Sequence, residues 1–199
     1  MSTTPEFVGF PKIARLNRQC VITEKIDGTN GVVHVSEDGA TVTAGSRNRW
    51  LTPGGSDNFG FAAWVAAHAD ELRTLGPGYH FGEWWGAGIQ RRYGMTEKRW
   101  SLFNVTRWCA YDAEPAEISS GRFQERVPAC AGLVPVVYRG PFTTEAVNAA
   151  LDHLRVHGSF AAPGFATPEG IVVHHIAAGV NFKVTLENDA SPKGAALDN

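Results

Sequence analysis

The first regular pattern in the chain is an apolar run, Cys20, Val21 and Ile22, that ends at Lys25; residues 20–26 read as a β-strand. "DGTNG" (27–31) supplies a turn, and "VVHV" (32–35) continues as a second strand. "SEDG" (36–39) is another turn signal, and "ATVTA" (40–44) alternates as a third strand. Together these segments predict an antiparallel meander. After the polar loop "SRNRWLTPGGSDN" (46–58) the period changes. Phe61, Val65, His68, Ala69, Leu72 and Leu75 recur at helical spacing, with Ser56 or Asp57 able to cap the start and Gly76-Pro77 ending it. "YHFGEWW" (79–85), "WSLFNV" (100–105) and "WCAYD" (108–112) read as strands, and "GAGIQRRYGM" (86–95) as a loop. A second helix fits Thr144 to His157, with Val147, Leu151 and Leu154 on one face and Gly158 after its end. "EGIVVHH" (169–175) and "VNFKV" (180–184) are strands joined by a short turn at 177–179, and the polar stretch 187–199 frays. The pattern predicts an α+β chain of antiparallel sheets flanked by a few helices.

Composition narrows the class. Of 199 residues, 43% are hydrophobic and 19% charged, which is globular and enough for one domain. No apolar run approaches the roughly 20 residues of a membrane span. "MSTTPEFVGF" lacks the basic and apolar segments of a signal peptide. The three cysteines, Cys20, Cys109 and Cys130, are far apart and form no CxxC pair, so reduced thiols and a cytoplasmic location are expected. A net charge of −2 argues against coating nucleic acid by charge alone. Cations still cluster at Lys12, Arg15 and Arg18, at Arg47 and Arg49, and at Arg91, Arg92, Lys98 and Arg99.

"ITEKIDGTNG" (22–31) sets a lysine where a strand meets a glycine turn. A free lysine amine is mostly protonated near neutral pH, and nearby cations with partial desolvation free its lone pair for attack. Such an amine attacks phosphorus when the phosphates are held in line and their charge is offset. Alone, a lysine near such a turn is usually just part of a solvated turn.

Further blocks follow in chain order. Residues 24–30 resemble the KxDGxN signature of covalent nucleotidyltransferases, the superfamily of RNA ligases, ATP-dependent DNA ligases and mRNA capping enzymes. "GSRNRW" (45–50), "FGEWWGAGIQRRYG" (81–94), "SLFNV" (101–105), "PEGIVVHH" (168–175) and "NFKV" (181–184) resemble the later blocks of that superfamily. Asn30, where DNA ligases and capping enzymes usually carry arginine, and "GIQRRYG" are similar to the RNA ligase branch, and most of all to RNA ligase 2-type enzymes, which seal 5′-phosphate to 3′-hydroxyl ends. The resemblance covers roughly residues 7 to 186. It implies a nucleotidyltransferase (ATP-grasp-like) fold, with an adenylation domain over residues 1–188 and a polar tail over 189–199.

The resemblance also implies roles. Lys25 is the nucleophile that takes AMP from ATP, and Asp27 and Asn30 position the ribose, a metal-bound water or the RNA end. Glu24, Arg47, Glu83, Phe103 and Lys183 join Lys25 in binding the nucleotide: Arg47 at phosphate or ribose, Glu83 at ribose hydroxyls, Phe103 stacked on adenine, Lys183 at the α-phosphate. Glu169 binds a divalent metal, Mg2+ or Mn2+. His174 and His175 invite a metal reading as well, but successive strand positions face opposite ways. The family block usually reads KxK, whereas this chain has Thr185 in the second place; Lys193 or an arginine of the 91–92 pair could compensate. Arg91, Arg92, Lys98 and Arg99 are candidates for gripping RNA. Many relatives carry a further C-terminal domain that nothing in this sequence supplies. The expected activity is ATP-dependent RNA ligation on RNA ends, with no membrane or protein partner identified. A DNA ligase or capping-type enzyme, or a non-catalytic nucleotide- or RNA-binding module on the same fold, remains open at this point.

Overall fold

The expected meander gives way to two sheets. In the computed structural model, which describes residues 6–55, 57–110, 124–125, 127–187 and 189, strands β1 (Gln19–Lys25) and β2 (Thr29–Val35) lie in different sheets. β3 (Val42–Gly45) and β4 (Gly78–Gly86) flank β2, and β5 (Lys98–Leu102) follows β4. Short strands β6 (Cys109–Ala110) and β7 (Gln124–Glu125) pair with each other, and β8 (Gly132–Leu133) closes the second sheet beside β5. β1 lies between β9 (Val136–Pro141) and β10 (Gly170–His175), with β11 (Val180–Thr185) outermost. The physical reason is Ile26. It is only 3% exposed and belongs to one apolar cluster with Val33, Trp85 and Tyr93. A hairpin tip would leave that side chain in water, whereas a crossover between sheets buries it.

Each of the two larger sheets is covered on one face by helix. On the first sheet Cys20, Ile22, Ile171 and Val173 meet Ala150, Leu151 and Leu154 of helix α4 (Thr144–His157). The Thr143 hydroxyl caps α4 by accepting from Ala146 N, and Gly158 ends it with φ 79°. On the second sheet the Phe61 ring of helix α1 (Phe61–Ala67) sits 5.4 Å from Trp84 and 6.1 Å from Trp100. Gly31 makes room for it, since a Cβ there would lie 2.6 Å from the Phe61 ring. Asp57 accepts from Ala62 N and Ala63 N at the start of α1, as the sequence suggested; Ser56 lies outside the described residues.

Other expectations need adjustment. The helical pattern 61–75 is broken into α1, a turn α2 (Ala69–Leu72) and a 3₁₀ turn (Arg73–Leu75). The break falls at His68, whose backbone (φ −111°, ψ 20°) leaves the helical region and whose ring Nδ1 donates to Trp64 O. The strand expected over 100–105 stops at Leu102, where the Asn104 side chain starts the turn α3 (Val105–Trp108) by accepting from Arg107 N. Of the strand expected over 108–112, the pair 109–110 is β6, and 111–112 lie outside the described residues. Strands β8 and β9 were not foreseen, and β8 pairs with β5 in parallel, so the sheets are not wholly antiparallel. Among the described residues no helix is long and apolar enough to cross a membrane.

The faces not covered by helix confront each other across a cleft of about 1020 Å3. Thr23, Lys25, Val172, His174, Asn181 and Lys183 line it from the first sheet, and Asn30, Tyr79, Phe81, Glu83 and Phe103 from the second. We expect Leu154→Ala, which empties a site with no exposed surface, to cost about 2–5 kcal/mol in urea unfolding. Val156→Ala, two residues on and 74% exposed, should change stability by no more than about 0.5 kcal/mol.

Candidate active site

Lys25 is the last residue of β1 and projects into the cleft. Its Nζ donates to Glu169 Oε2 at 2.5 Å. Glu169 directly precedes β10, whose Gly170 is the register partner of Lys25, so sheet pairing sets this contact.

The turn after Lys25 is held from three sides. Asp27 N donates to the Tyr93 hydroxyl at 2.8 Å, and Arg91 Nε donates to Asp27 Oδ2 at 3.2 Å. Gly28 N donates to Glu83 Oε1 at 3.0 Å. Only glycine fits at 28, because a Cβ would lie 2.4 Å from Trp84 O. Glu83 and Asn30 are cross-strand partners, and Asn30 Nδ2 donates to Glu83 Oε2 at 3.3 Å. Asn30 Oδ1 in turn accepts from Arg47 Nε at 2.8 Å. Arginine at position 30 could not accept from Arg47, and a carboxylate there could not donate to Glu83.

Three carboxylates around this turn are nearly withdrawn from water: Glu24, Glu169 and Glu83 are 1%, 5% and 9% exposed. The Glu24 carboxylate turns away from Lys25 to the loop after α4, where it accepts from Ser159 Oγ, Phe160 N and Ala161 N. Burial raises its pKa, and those three hydrogen bonds oppose the rise. Glu24 borders the cleft, yet its carboxylate is engaged by this loop and not by the cleft. Burial pushes Glu83 up to about 7, against the pull of Lys25 and Gly28 N and with a further push from Glu169 and Asp27. Burial also raises the Tyr93 hydroxyl, so at neutral pH it is the protonated phenol that receives Asp27 N–H.

The remaining predicted residues divide. Arg47, Phe103 and Lys183 line the cleft together with Lys25, Asp27 and Asn30. Thr185 is bonded within its own segment, donating to Glu187 O and taking Asp189 Oδ1 on its N–H. Lys193 lies outside the described residues. His174 faces the cleft with Nδ1 2.7 Å from Asn181 Oδ1, while His175 is buried on the opposite face against Leu16 O. Among the described residues no group of three or more His, Cys, Asp and Glu side chains is placed to hold a metal ion.

The basic cluster expected to grip RNA is mostly committed elsewhere. Arg91 binds Asp27, Thr167 O and Glu187; Arg99 pairs with Glu97; Lys98 donates to Phe59 O. The Arg91 contacts make it a clamp on the lysine turn.

A family model described as RNA ligase matches residues 18–185. The chain belongs to the RNA ligase family. Solved structures agree on the fold of its nucleotidyltransferase domain. A Naegleria gruberi RNA ligase mutant without ligand aligns with TM-score 0.57 and 18% identity, covering 92% of this chain and 57% of that one. A mutant with ATP and manganese aligns with TM-score 0.54 and 14% identity, covering 85% and 50%. Another, with AMP and manganese, aligns at the same values. This RNA ligase chain thus spans about half the length of those solved chains. A search of curated proteins finds no match.

Tyr93 and Asn58, which hold the lysine turn and the strand after it, were missed in the sequence. Asn58 donates to Asn30 O and takes the Thr29 hydroxyl on Oδ1. Tyr93 sat inside the quoted "GIQRRYG", but contacts across 66 residues leave no periodic trace. Replacing Tyr93 by Phe should cost about 1–3 kcal/mol in urea unfolding, since Asp27 N–H loses its acceptor. Glu83 yields a pH prediction. Its folded pKa of about 7 exceeds the unfolded 4.5, so the folded state keeps a proton that the unfolded chain has released. The Glu83 contribution to stability therefore falls as pH rises from about 4.5 to about 7. Glu83→Gln should flatten the stability–pH curve in that window, and an unchanged curve would contradict the assignment.

Proposed function

We propose that this chain is an ATP-dependent RNA ligase that works through a lysine–AMP adduct on Lys25. The carrying observation is the setting of Lys25: it ends a strand inside the cleft, touches Glu169, and is followed by a turn held by Tyr93, Glu83 and Arg91. The known structures of its Naegleria neighbours with ATP or AMP support a nucleotide in the corresponding cleft.

In the first step Lys25 Nζ attacks the α-phosphorus of ATP. The N–P bond forms, the bond to the bridging oxygen breaks, pyrophosphate leaves, and the amine loses its proton. The attacking form is the neutral amine, so the Lys25–Glu169 contact has to open or lose its proton first. AMP then passes to an RNA 5′-phosphate oxygen, which restores Lys25. A 3′-hydroxyl finally attacks that 5′-phosphorus, forming the phosphodiester and releasing AMP.

The other residues orient these groups. Arg47 offers its terminal guanidinium nitrogens beside the turn, and Lys183 is exposed on the cleft wall where it can meet a phosphate. Phe103 presents a half-exposed ring suited to stacking on adenine. Asp27 and Asn30 are kept in place by Arg91, Glu83 and Arg47. A divalent cation fits this chemistry, because one carboxylate, Glu169, with phosphate oxygens and waters makes a usual Mg2+ site and needs no protein cage. When bound, such an ion supplies charge neutralisation at the phosphates.

Incubation with ATP and Mg2+ should add the mass of AMP to the intact protein, and GTP should not. Lys25→Ala and Lys25→Arg should form no adduct, the second because a guanidinium stays protonated. A normal adduct on either variant contradicts the proposal. Arg91→Ala should slow adduct formation as well as sealing, because it releases Asp27.

A further inference from the structure

The cleft wall of the second sheet carries a row of exposed rings, of which the nucleotide-binding roles above take only Phe103. The row begins at Phe103, whose backbone N donates to Phe81 O and so places it beside Phe81. Phe81 and Tyr79 follow along β4, with centroids 6.2 Å apart and planes within 13°. Trp50 comes next, 6.1 Å from Tyr79 with planes within 25°. His34 on β2 fills the gap, 4.5 Å from Tyr79 and 5.9 Å from Trp50.

Water, not protein, covers much of this row. Phe103, Phe81, Tyr79 and Trp50 are 41%, 54%, 56% and 53% exposed. A contiguous exposed apolar feature of this kind marks an interaction surface. Three properties point to its occupant. First, the row is continuous with the cleft: Phe103, Phe81 and Tyr79 line it, and Trp50 extends the row beyond it. Second, cations border it. Arg47 and Arg49 are exposed on the loop that carries Trp50. Third, flat rings on a sheet, flanked by arginines, match the π-faces and phosphates of unpaired nucleotides. A base-paired strand keeps its base faces stacked on its neighbours and cannot offer them to these rings.

We propose that the row Phe81–Tyr79–His34–Trp50 is a stacking track for unpaired RNA nucleotides leading to the end held at Lys25. It rests on the RNA ligase reading and deepens it: the substrate is RNA with a single-stranded segment at the ligated end, rather than a nick in continuous duplex. Arg47 and Arg49 meet its phosphates, and the rings take its bases without reading sequence.

The test compares binding and adenylation on the full chain. Fluorescence anisotropy measures affinity for three labelled probes: a short 5′-phosphorylated single-stranded RNA, an abasic strand of equal length, and a blunt RNA duplex. Intact mass measures AMP adduct formation with ATP and Mg2+ alone. The wild type should prefer the single strand over both other probes. Trp50→Ala should weaken single-strand binding about five-fold or more and leave abasic binding unchanged. Trp50→Phe, which keeps a ring, should recover most of the loss, and Trp50→Ala should form the adduct at the wild-type rate. Wild-type single-strand affinity in Trp50→Ala would overturn the track, as would equal binding of the three probes by the wild type. Concentration-dependent self-association that vanishes in Trp50→Ala would also overturn it, by assigning the row to a second copy of the chain. Failure of the wild type to form an adduct would instead strike the ligase chemistry, while the probe comparison would still decide the track.

Discussion

The structure depends on how three residues, Ile26, Asp27 and Gly28, carry the chain from one sheet to the other. That crossing cannot use hairpin hydrogen bonds, so its backbone groups need other partners. Tyr93 takes the Asp27 N–H and Glu83 takes the Gly28 N–H. Ile26 anchors the crossing in the core, and Gly28 lets it pass against Trp84. The outcome is a lysine fixed at the mouth of a short rigid bridge, with one sheet on each side of it.

Burying carboxylates near this bridge has a cost that hydrogen bonds must offset. Glu24 and Glu83 meet it differently. Glu24 has three donors from one loop, which ties the segment after α4 to β1 and so links the helix to the lysine strand. Glu83 has the Gly28 backbone N–H from the lysine turn and the Asn30 amide from the start of β2, while burial, with a smaller push from Glu169 and Asp27, raises its pKa. Glu83 therefore serves the shape of the turn, a role that stands beside the ribose contact the family resemblance implies.

Most of the elements were legible in the sequence because their patterns are local. Helix α4 matches its expected ends because its apolar face repeats at helical spacing and Gly158 stops it. The pairing of the strands was not legible. β1 and β2 look like a hairpin in sequence, and only the burial of Ile26 separates them. β9 was missed although it pairs with β1. Its run "VVYRGP" shows no alternation, because Val136, Val137 and Tyr138 are all buried. The site divides the same way. Ordered motifs pointed to Lys25, Asn30, Glu83, Glu169 and Lys183, and the fold gathers them in or beside one cleft. The commitment of Arg91 to Asp27 and of Glu24 to Ser159 depends on contacts 64 and 135 residues apart, which no spacing rule reports.

The central claim is that Lys25 is the residue that carries AMP. Peptide mapping by tandem mass spectrometry, after incubation with ATP and Mg2+ and quenching under conditions that preserve a phosphoramidate, tests it most directly. The account predicts that the AMP mass lies on the peptide containing Lys25 and fragments to that side chain. AMP on Lys183 or any other residue, or no covalent AMP on a protein that nonetheless seals RNA, would contradict it.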